Sequence, residues 1–187
     1  MTKRFFDLFL AVLLSFALAP IIIITAVLVR LTSTGNALYW SDRIGRNNKI
    51  FKMPKFRSMR VDTPAVATHL LGNPEKFLTP IGSFLRKSSL DELPQLYSIL
   101  TGDMSFVGPR PALFNQHDLI KLRTIKKVDA LMPGLTGWAQ INGRDDLPIS
   151  QKVAFDVEYL NNKSFYIDVK IILLTFEKVL RRDGVTH

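Results

Sequence analysis

The strongest pattern in the chain is an unbroken apolar run near its start. From Leu8 to Val29 it reads LFLAVLLSFALAPIIIITAVLV without a charged residue, and about 20 apolar residues are enough to cross a bilayer as a helix. Beyond it the pattern is that of a globular domain. Leu38 to Met59 (LYWSDRIGRNNKIFKMPKFRSM) holds two extended pieces around Gly45-Arg46-Asn47-Asn48, a turn composition that predicts a β-hairpin. Residues 61–75 mix Pro, Gly, Thr and Asn and read as a connection, with His69 as an exposed loop residue. A helix is predicted from Thr79-Pro80, with Thr as cap and Pro in the first helical position, to about Lys87. A second runs from Ser89 or Asp91 to about Leu100, and a third from about Pro111 to Lys127. Two more follow, over Ile149 to Leu160 and over Tyr166 to Arg182, the last ending at Gly184. In this last helix Ile167, Ile171, Leu174 and Val179-Leu180 recur at helical spacing, which marks a face for packing on the core. Residues 101–111 and 133–144 read as loops rich in Gly and Pro.

The flanks of the apolar run decide how it meets a membrane. Lys3 and Arg4 precede it, and Arg30, Arg43, Arg46, Lys49 and Lys52 follow it. A cleaved signal peptide would explain the leading charges and the Ala17-Leu18-Ala19 box, but the run continues well past Pro20. A straight spanning helix conflicts with Pro20, which removes a backbone hydrogen bond in mid-helix. It also puts one basic flank on the wrong side, because Lys and Arg are retained in the cytoplasm. A helix broken at Pro20 that enters and leaves by one face satisfies both flanks. The fold class expected is therefore α+β and mainly helical: a re-entrant membrane helix over residues 1–30, then a small helical domain with a β-hairpin over 31–187.

Charge narrows the partner. Lys+Arg 25 against Asp+Glu 16 gives a net charge of +9, which favours an anionic partner such as a phosphorylated substrate, an anionic lipid surface or nucleic acid. Cysteine is absent, so disulfides and thiolate metal sites are excluded.

The chemistry concentrates in RKSSLDELPQLYSILTGDMSFVGPRP, from Arg86 to Pro111. Asp91 and Glu92 sit just before Pro94, and Gly108-Pro109-Arg110-Pro111 forms a rigid turn that presents one guanidinium. Ser89 and Glu92 match a capping box, and acidic residues suit a helix start by about 0.3–1 kcal/mol. Against a purely structural role stand the cations Arg86, Arg110 and Arg144, whose forks match phosphate oxygens. Lys55 and Arg57 alternate with Phe56 and share one face of an extended segment, as further phosphate ligands. A hard ion such as Mg²⁺ needs only one or two carboxylates when phosphates and water complete its shell. A carboxylate can also act as a nucleophile at phosphorus when metal and arginine neutralise the charges.

These blocks resemble one family, the bacterial sugar transferases, or small monotopic phosphoglycosyl transferases. The resemblance covers nearly the whole chain. It runs through the Pro-broken N-terminal segment, KFRSM at 55–59, RKSSLDELPQL at 86–96, GDMSFVGPRP at 102–111, PGLTGWAQINGR at 133–144 and a closing helix, DVKIILLTFEKVLRRDGV. It implies transfer of a sugar-1-phosphate from a UDP-sugar to undecaprenyl phosphate at the cytoplasmic face of the bacterial inner membrane. Asp91 would be the covalent nucleophile that displaces UMP, and Glu92 its partner, implicated with Mg²⁺. Arg86, Arg110 and Arg144 match basic positions of the family's active site, and Lys55 and Arg57 fall in its KF[RK] block. The resemblance also implies a re-entrant helix broken at Pro20, with Ala19 where many relatives carry Ser. Some relatives have a larger N-terminal membrane region, whereas this chain resembles the minimal form. No nucleic-acid partner is expected.

Two other functions compete. A membrane-tethered polybasic binder would use Arg46, Lys49, Lys121, Arg123, Lys126 and Lys127 as an anionic-ligand surface. A scaffold in glycan assembly would need no catalytic carboxylate.

Overall fold

The computed structural model of the chain describes residues 2–64, 66, 71–143 and 147–181, with 179–181 described for the backbone alone. It opens with two helices, α1 (Thr2–Ala17) and α2 (Ala19–Thr32), which meet at Leu18 with a bend of 63°. Pro20 lies in the first turn of α2, where its missing N–H costs nothing, so the break falls two residues ahead of the proline rather than on it. Neither helix alone is long and apolar enough to cross a membrane, though the bent pair together has the length and composition. Large apolar side chains of the pair stay uncovered, among them Phe5, Phe9 and Phe16 on α1 and Ile23, Ile24 and Leu31 on α2.

The expected hairpin follows as β1 (Leu38–Ile44) and β2 (Ile50–Phe56), antiparallel, with Tyr39 opposite Lys55. Asn47 and Asn48 turn the chain with φ of 55° and 58°, a left-handed geometry that asparagine tolerates. Pro54 is accommodated because β2 is the edge strand of the order β2-β1-β4.

Helix α3 spans Gly82–Lys87 rather than starting at Thr79-Pro80. The hydroxyl of Thr79 donates to the Ser58 carbonyl instead of capping. A Cβ at Gly82 would stand 2.1 Å from that same carbonyl, so the helix can begin only at a glycine pressed on the end of the hairpin. The chain then makes a 3₁₀ turn over Leu90–Gln95, with Pro94 inside it, and α4 (Leu96–Thr101), which ends at Gly102 with φ 96°.

The two stretches read as loops contain short strands. β3 (Ser105–Val107) pairs in parallel with β5 (Gly134–Thr136). Three glycines allow it: a Cβ at Gly108 would stand 2.1 Å from the Met132 carbonyl oxygen, one at Gly134 2.1 Å from the Gly108 nitrogen, and one at Gly137 2.1 Å from the Gly108 carbonyl oxygen. Between them, β4 (Ala112–Leu113) joins the hairpin sheet beside β1, which delays the following helix, α5, to His117–Ile125. The short α6 (Trp138–Ile141), then α7 (Ile149–Asn162) and α8 (Phe165–Arg181) complete the fold, which is mainly helical with a small sheet. Gly184, the expected end of the last helix, lies outside the described residues, as does His69.

One main core joins these parts. Ala11 of α1, Met53 of β2, Leu96 and Ile99 of α4, Phe106 and Val107 of β3, and Ile171 of α8 bury together. A second cluster packs Val29 of α2 on Phe56 and Leu85. Ile167 and Leu174 pack on the main core as expected, while Tyr166, Leu173 and Phe176 on the outer side of α8 are exposed.

The apolar pair is also held by polar contacts along one face of α1. Lys3 pairs with Asp168 at 2.6 Å, whose other oxygen accepts the Tyr159 hydroxyl at 2.6 Å. Burial, with Asp168 alongside, pushes the Tyr159 phenol well above its ordinary range. Arg4 donates to the carbonyls of Ile99 and Leu100 at 2.6 and 3.0 Å, closing the C-terminus of α4. Buried Asp7 accepts the Ser105 hydroxyl at 2.8 Å and the Phe106 amide at 3.2 Å.

Candidate active site

The carboxylates sit where the 3₁₀ turn crosses β2. Ser89 enters the turn with φ 56° and makes no side-chain cap, so the capping box is not formed. The side chain of Glu92 turns the other way. Its Oε1 accepts Lys55 Nζ from β2 at 2.7 Å and Arg110 from the Gly108–Pro111 turn at 3.2 Å. Asp91 is buried rather than projecting to solvent, with Lys55 Nζ 4.0 Å from its Oδ2. Lys55, Asp91, Glu92 and Arg110 thus converge from three separate chain segments.

Burial raises the Asp91 carboxyl above its ordinary range. Lys55 opposes that shift, Glu92 adds to it, and Arg86 at the end of α3 and Arg110 oppose it. Burial also resists ionisation of Glu92, but the charges and hydrogen bonds of Lys55 and Arg110 outweigh it and hold this carboxyl well below the usual range. The two neighbours are therefore pushed apart: Glu92 is held as an anion, while burial makes ionisation of Asp91 harder. Among the described residues, Lys55, Arg86 and Arg110 are the cations whose charges act on this pair of carboxylates.

The predicted site residues do not all gather here. Arg57 is buried at the end of β2, where it donates to the Ser33 hydroxyl and carbonyl and to the Gly35 carbonyl at 2.9–3.2 Å. Burial and neighbouring Arg30 lower its pKa. It ties the hairpin to the segment leaving α2, two residues beyond Lys55 and away from the carboxylates. Arg144 lies outside the described residues.

One buried cation carried no distinct sequence signal of its own. Arg123, read only as part of a polybasic surface, is buried and paired with Asp156 of α7 at 2.8 Å. The polybasic reading loses that member, while Lys121, Lys126 and Lys127 remain exposed. Two positions could have been found by pattern: Asp156 falls on the buried stripe Val153, Asp156, Tyr159, and Asp168 lies opposite the exposed side of α8. A carboxylate on an apolar stripe asks for a buried partner.

The bacterial sugar transferase family model matches residues 1–182. The chain is 42% identical to an uncharacterized sugar transferase, EpsL, of Bacillus subtilis (strain 168), over 98% of this chain and 89% of that protein. It is 39% identical to the undecaprenyl-phosphate glucose phosphotransferase of Komagataeibacter xylinus, over 94% of this chain and 35% of that protein. It is also 39% identical to the UDP-glucose:undecaprenyl-phosphate glucose-1-phosphate transferase of Escherichia coli (strain K12), over 94% of this chain and 39% of that protein. The chain thus spans most of the first relative and little more than a third of the other two. With a family match over nearly its full length, the chain belongs to the bacterial sugar transferases.

Proposed function

We propose that the protein is a phosphoglycosyl transferase that moves a sugar-1-phosphate from a UDP-sugar to undecaprenyl phosphate. The observation that carries this reading is the pair of unlike carboxylates, Asp91 and Glu92, set among Lys55, Arg86 and Arg110. Relatives whose names state undecaprenyl-phosphate transfer support the same reaction class.

In the first step an Asp91 oxygen attacks the β-phosphorus of the donor. A phosphorus–carboxylate bond forms, the bond to the bridging oxygen breaks, and UMP leaves with that oxygen and the electron pair. In the second step a phosphate oxygen of the lipid attacks the same phosphorus. The bond to Asp91 breaks, giving the diphosphate-linked lipid sugar and restoring the carboxylate. Arg110, whose side chain is 37% exposed, offers a guanidinium to the donor phosphates. Lys55 keeps Glu92 charged and favours the ionised, nucleophilic form of Asp91.

The carboxylates fit a Mg²⁺ ion. Asp91 and the second oxygen of Glu92 are hard oxygen donors, and such an ion's shell would be completed by phosphate oxygens and water. Bound there, Mg²⁺ would neutralise charge on the donor diphosphate.

The bent pair α1–α2 serves in this reading as a re-entrant anchor in the inner membrane, with residues 31–187 as the catalytic unit on the cytoplasmic face. Its uncovered apolar side chains and its basic flanks on both sides support that topology. A cysteine added at the N-terminus should resist impermeant reagents in intact cells; labelling from the periplasm would overturn the re-entrant anchor.

The reaction is tested with a panel of UDP-sugars, undecaprenyl phosphate and Mg²⁺, following UMP release. Asp91→Asn preserves side-chain volume and should lower turnover by about three orders of magnitude or more. It should also abolish labelling of the protein by a donor carrying radioactive β-phosphate. Retention of most of the activity by Asp91→Asn would remove Asp91 from the chemistry.

A further inference from the structure

The turn that carries Arg110 is unusual in how it is held. Pro109 and Pro111 have no N–H, so the turn has few donors with which to bond itself. The carbonyls of Pro109, Arg110 and Pro111 are taken instead by donors from elsewhere in the fold. Gly134 N reaches the Pro109 carbonyl at 2.9 Å, Arg123 Nη1 the Arg110 carbonyl at 2.7 Å, and Arg43 Nη1 the Pro111 carbonyl at 3.2 Å. Each arginine is itself fixed. Arg123 places Nε 2.9 Å and Nη2 2.8 Å from Asp156 Oδ2, both groups being buried, and Arg43 Nε donates to Ser41 Oγ at 3.0 Å. Packing beneath the turn is incomplete, since a cavity of about 30 Å³ opens between it and Ile120, Val128 and Leu131.

We propose that Arg123, held by Asp156, and Arg43 are positioning residues that grip this turn by its carbonyls and so fix where the Arg110 guanidinium points. A guanidinium suits the task because one planar fork can bind a carboxylate and a carbonyl together. The relay runs from α7 through α5 to the turn, and ends on Glu92, which Arg110 contacts at 3.2 Å. Its consequence for turnover rests on the proposed function, in which Arg110 meets the donor phosphates. The grip on the turn does not.

The experiment pairs two readouts on the full chain. Amide hydrogen exchange is measured at Arg110 and Ala112, the two residues of 109–112 that have amides, in wild type and Arg123→Lys. Lysine keeps the charge but cannot span Asp156 and the carbonyl as a fork, so exchange there should rise about tenfold. Unchanged exchange at the turn in folded Arg123→Lys overturns the proposal. The second readout is a double-mutant cycle in kcat/KM for UMP release, with the same donor panel. Arg123→Lys should lower kcat/KM about tenfold in the wild-type background and less than about twofold beside Arg110→Ala, because its effect passes through Arg110. Equal losses in both backgrounds show a merely structural role and overturn the proposal. Asp156→Asn and Arg43→Lys repeat both comparisons if Arg123→Lys does not fold. Failure of the wild type to release UMP from any donor retires the functional reading, and the exchange comparison still decides the grip.

Discussion

Replacing Lys55 by methionine tests the electrostatic logic of the site most directly. The ammonium lies 2.7 Å from Glu92 Oε1 and 4.0 Å from Asp91 Oδ2, with side chains 16%, 22% and 10% exposed respectively. At about 4 Å and an effective dielectric near 20, one such charge favours the ionised carboxylate by about 4 kcal/mol. Relaxation and water entry reduce this; a third of it still equals about one pH unit. Lys55→Met should therefore move the acid limb of kcat/KM for UMP release upward by about one unit or more, since that limb reports the free enzyme's essential carboxylate. Lys55→Arg, which keeps the charge, should move it far less. The assay is a pH–rate profile on each variant, with circular dichroism to confirm folding. An acid limb at the wild-type position in folded Lys55→Met would refute the role of Lys55 in setting the Asp91 charge.

Gly137→Ala should destabilise the fold by about 1–3 kcal/mol or more in urea unfolding, because its Cβ would meet the Gly108 carbonyl oxygen at 2.1 Å. Gly72→Ala is the control, with no atom within 4 Å of the added carbon. Glu92 makes stability depend on pH in a set direction. Its folded pKa is depressed below the ordinary value of 4.5, so its contribution is complete above that value and is lost as pH falls toward the folded one. Asp91, raised on folding, contributes with the opposite sign: its share is present at low pH and is lost as pH rises through its folded pKa. Glu92→Gln should flatten the acid loss in a series of melting temperatures below pH 4.5; an unchanged slope would show that Glu92 is not held as an anion.

How far the site could be read from sequence differs residue by residue. Asp91, Glu92 and Arg110 stand in one stretch of residues, and their grouping was legible because carboxylates, a proline and a Pro-flanked arginine are rare in such company; the structure does bring them together. The capping box was equally legible and is not formed, because Lys55 and Arg110 compete for Glu92 more strongly than the helix start does. Arg57 had the right periodicity to accompany Lys55, yet the chain leaves β2 there and its guanidinium goes to Ser33 and Gly35. The parallel β3–β5 pair had no pattern to reveal it: each strand has three residues, and what permits the pairing is the absence of a Cβ at three distant glycines.

The sequence by itself determined the apolar N-terminal pair, its break near Pro20, the hairpin and the closing helices. Each of these follows from local forces that act within a few residues: hydrophobic period, turn geometry and a missing N–H. Tertiary structure alone decided which charges meet. Lys3 with Asp168, Asp7 with Ser105, Arg123 with Asp156, and Lys55 with Glu92 are separated by 165, 98, 33 and 37 positions. A buried charge needs a partner wherever the chain can bring one, and only the packing of α1, α7 and β2 around the core fixes which partner arrives.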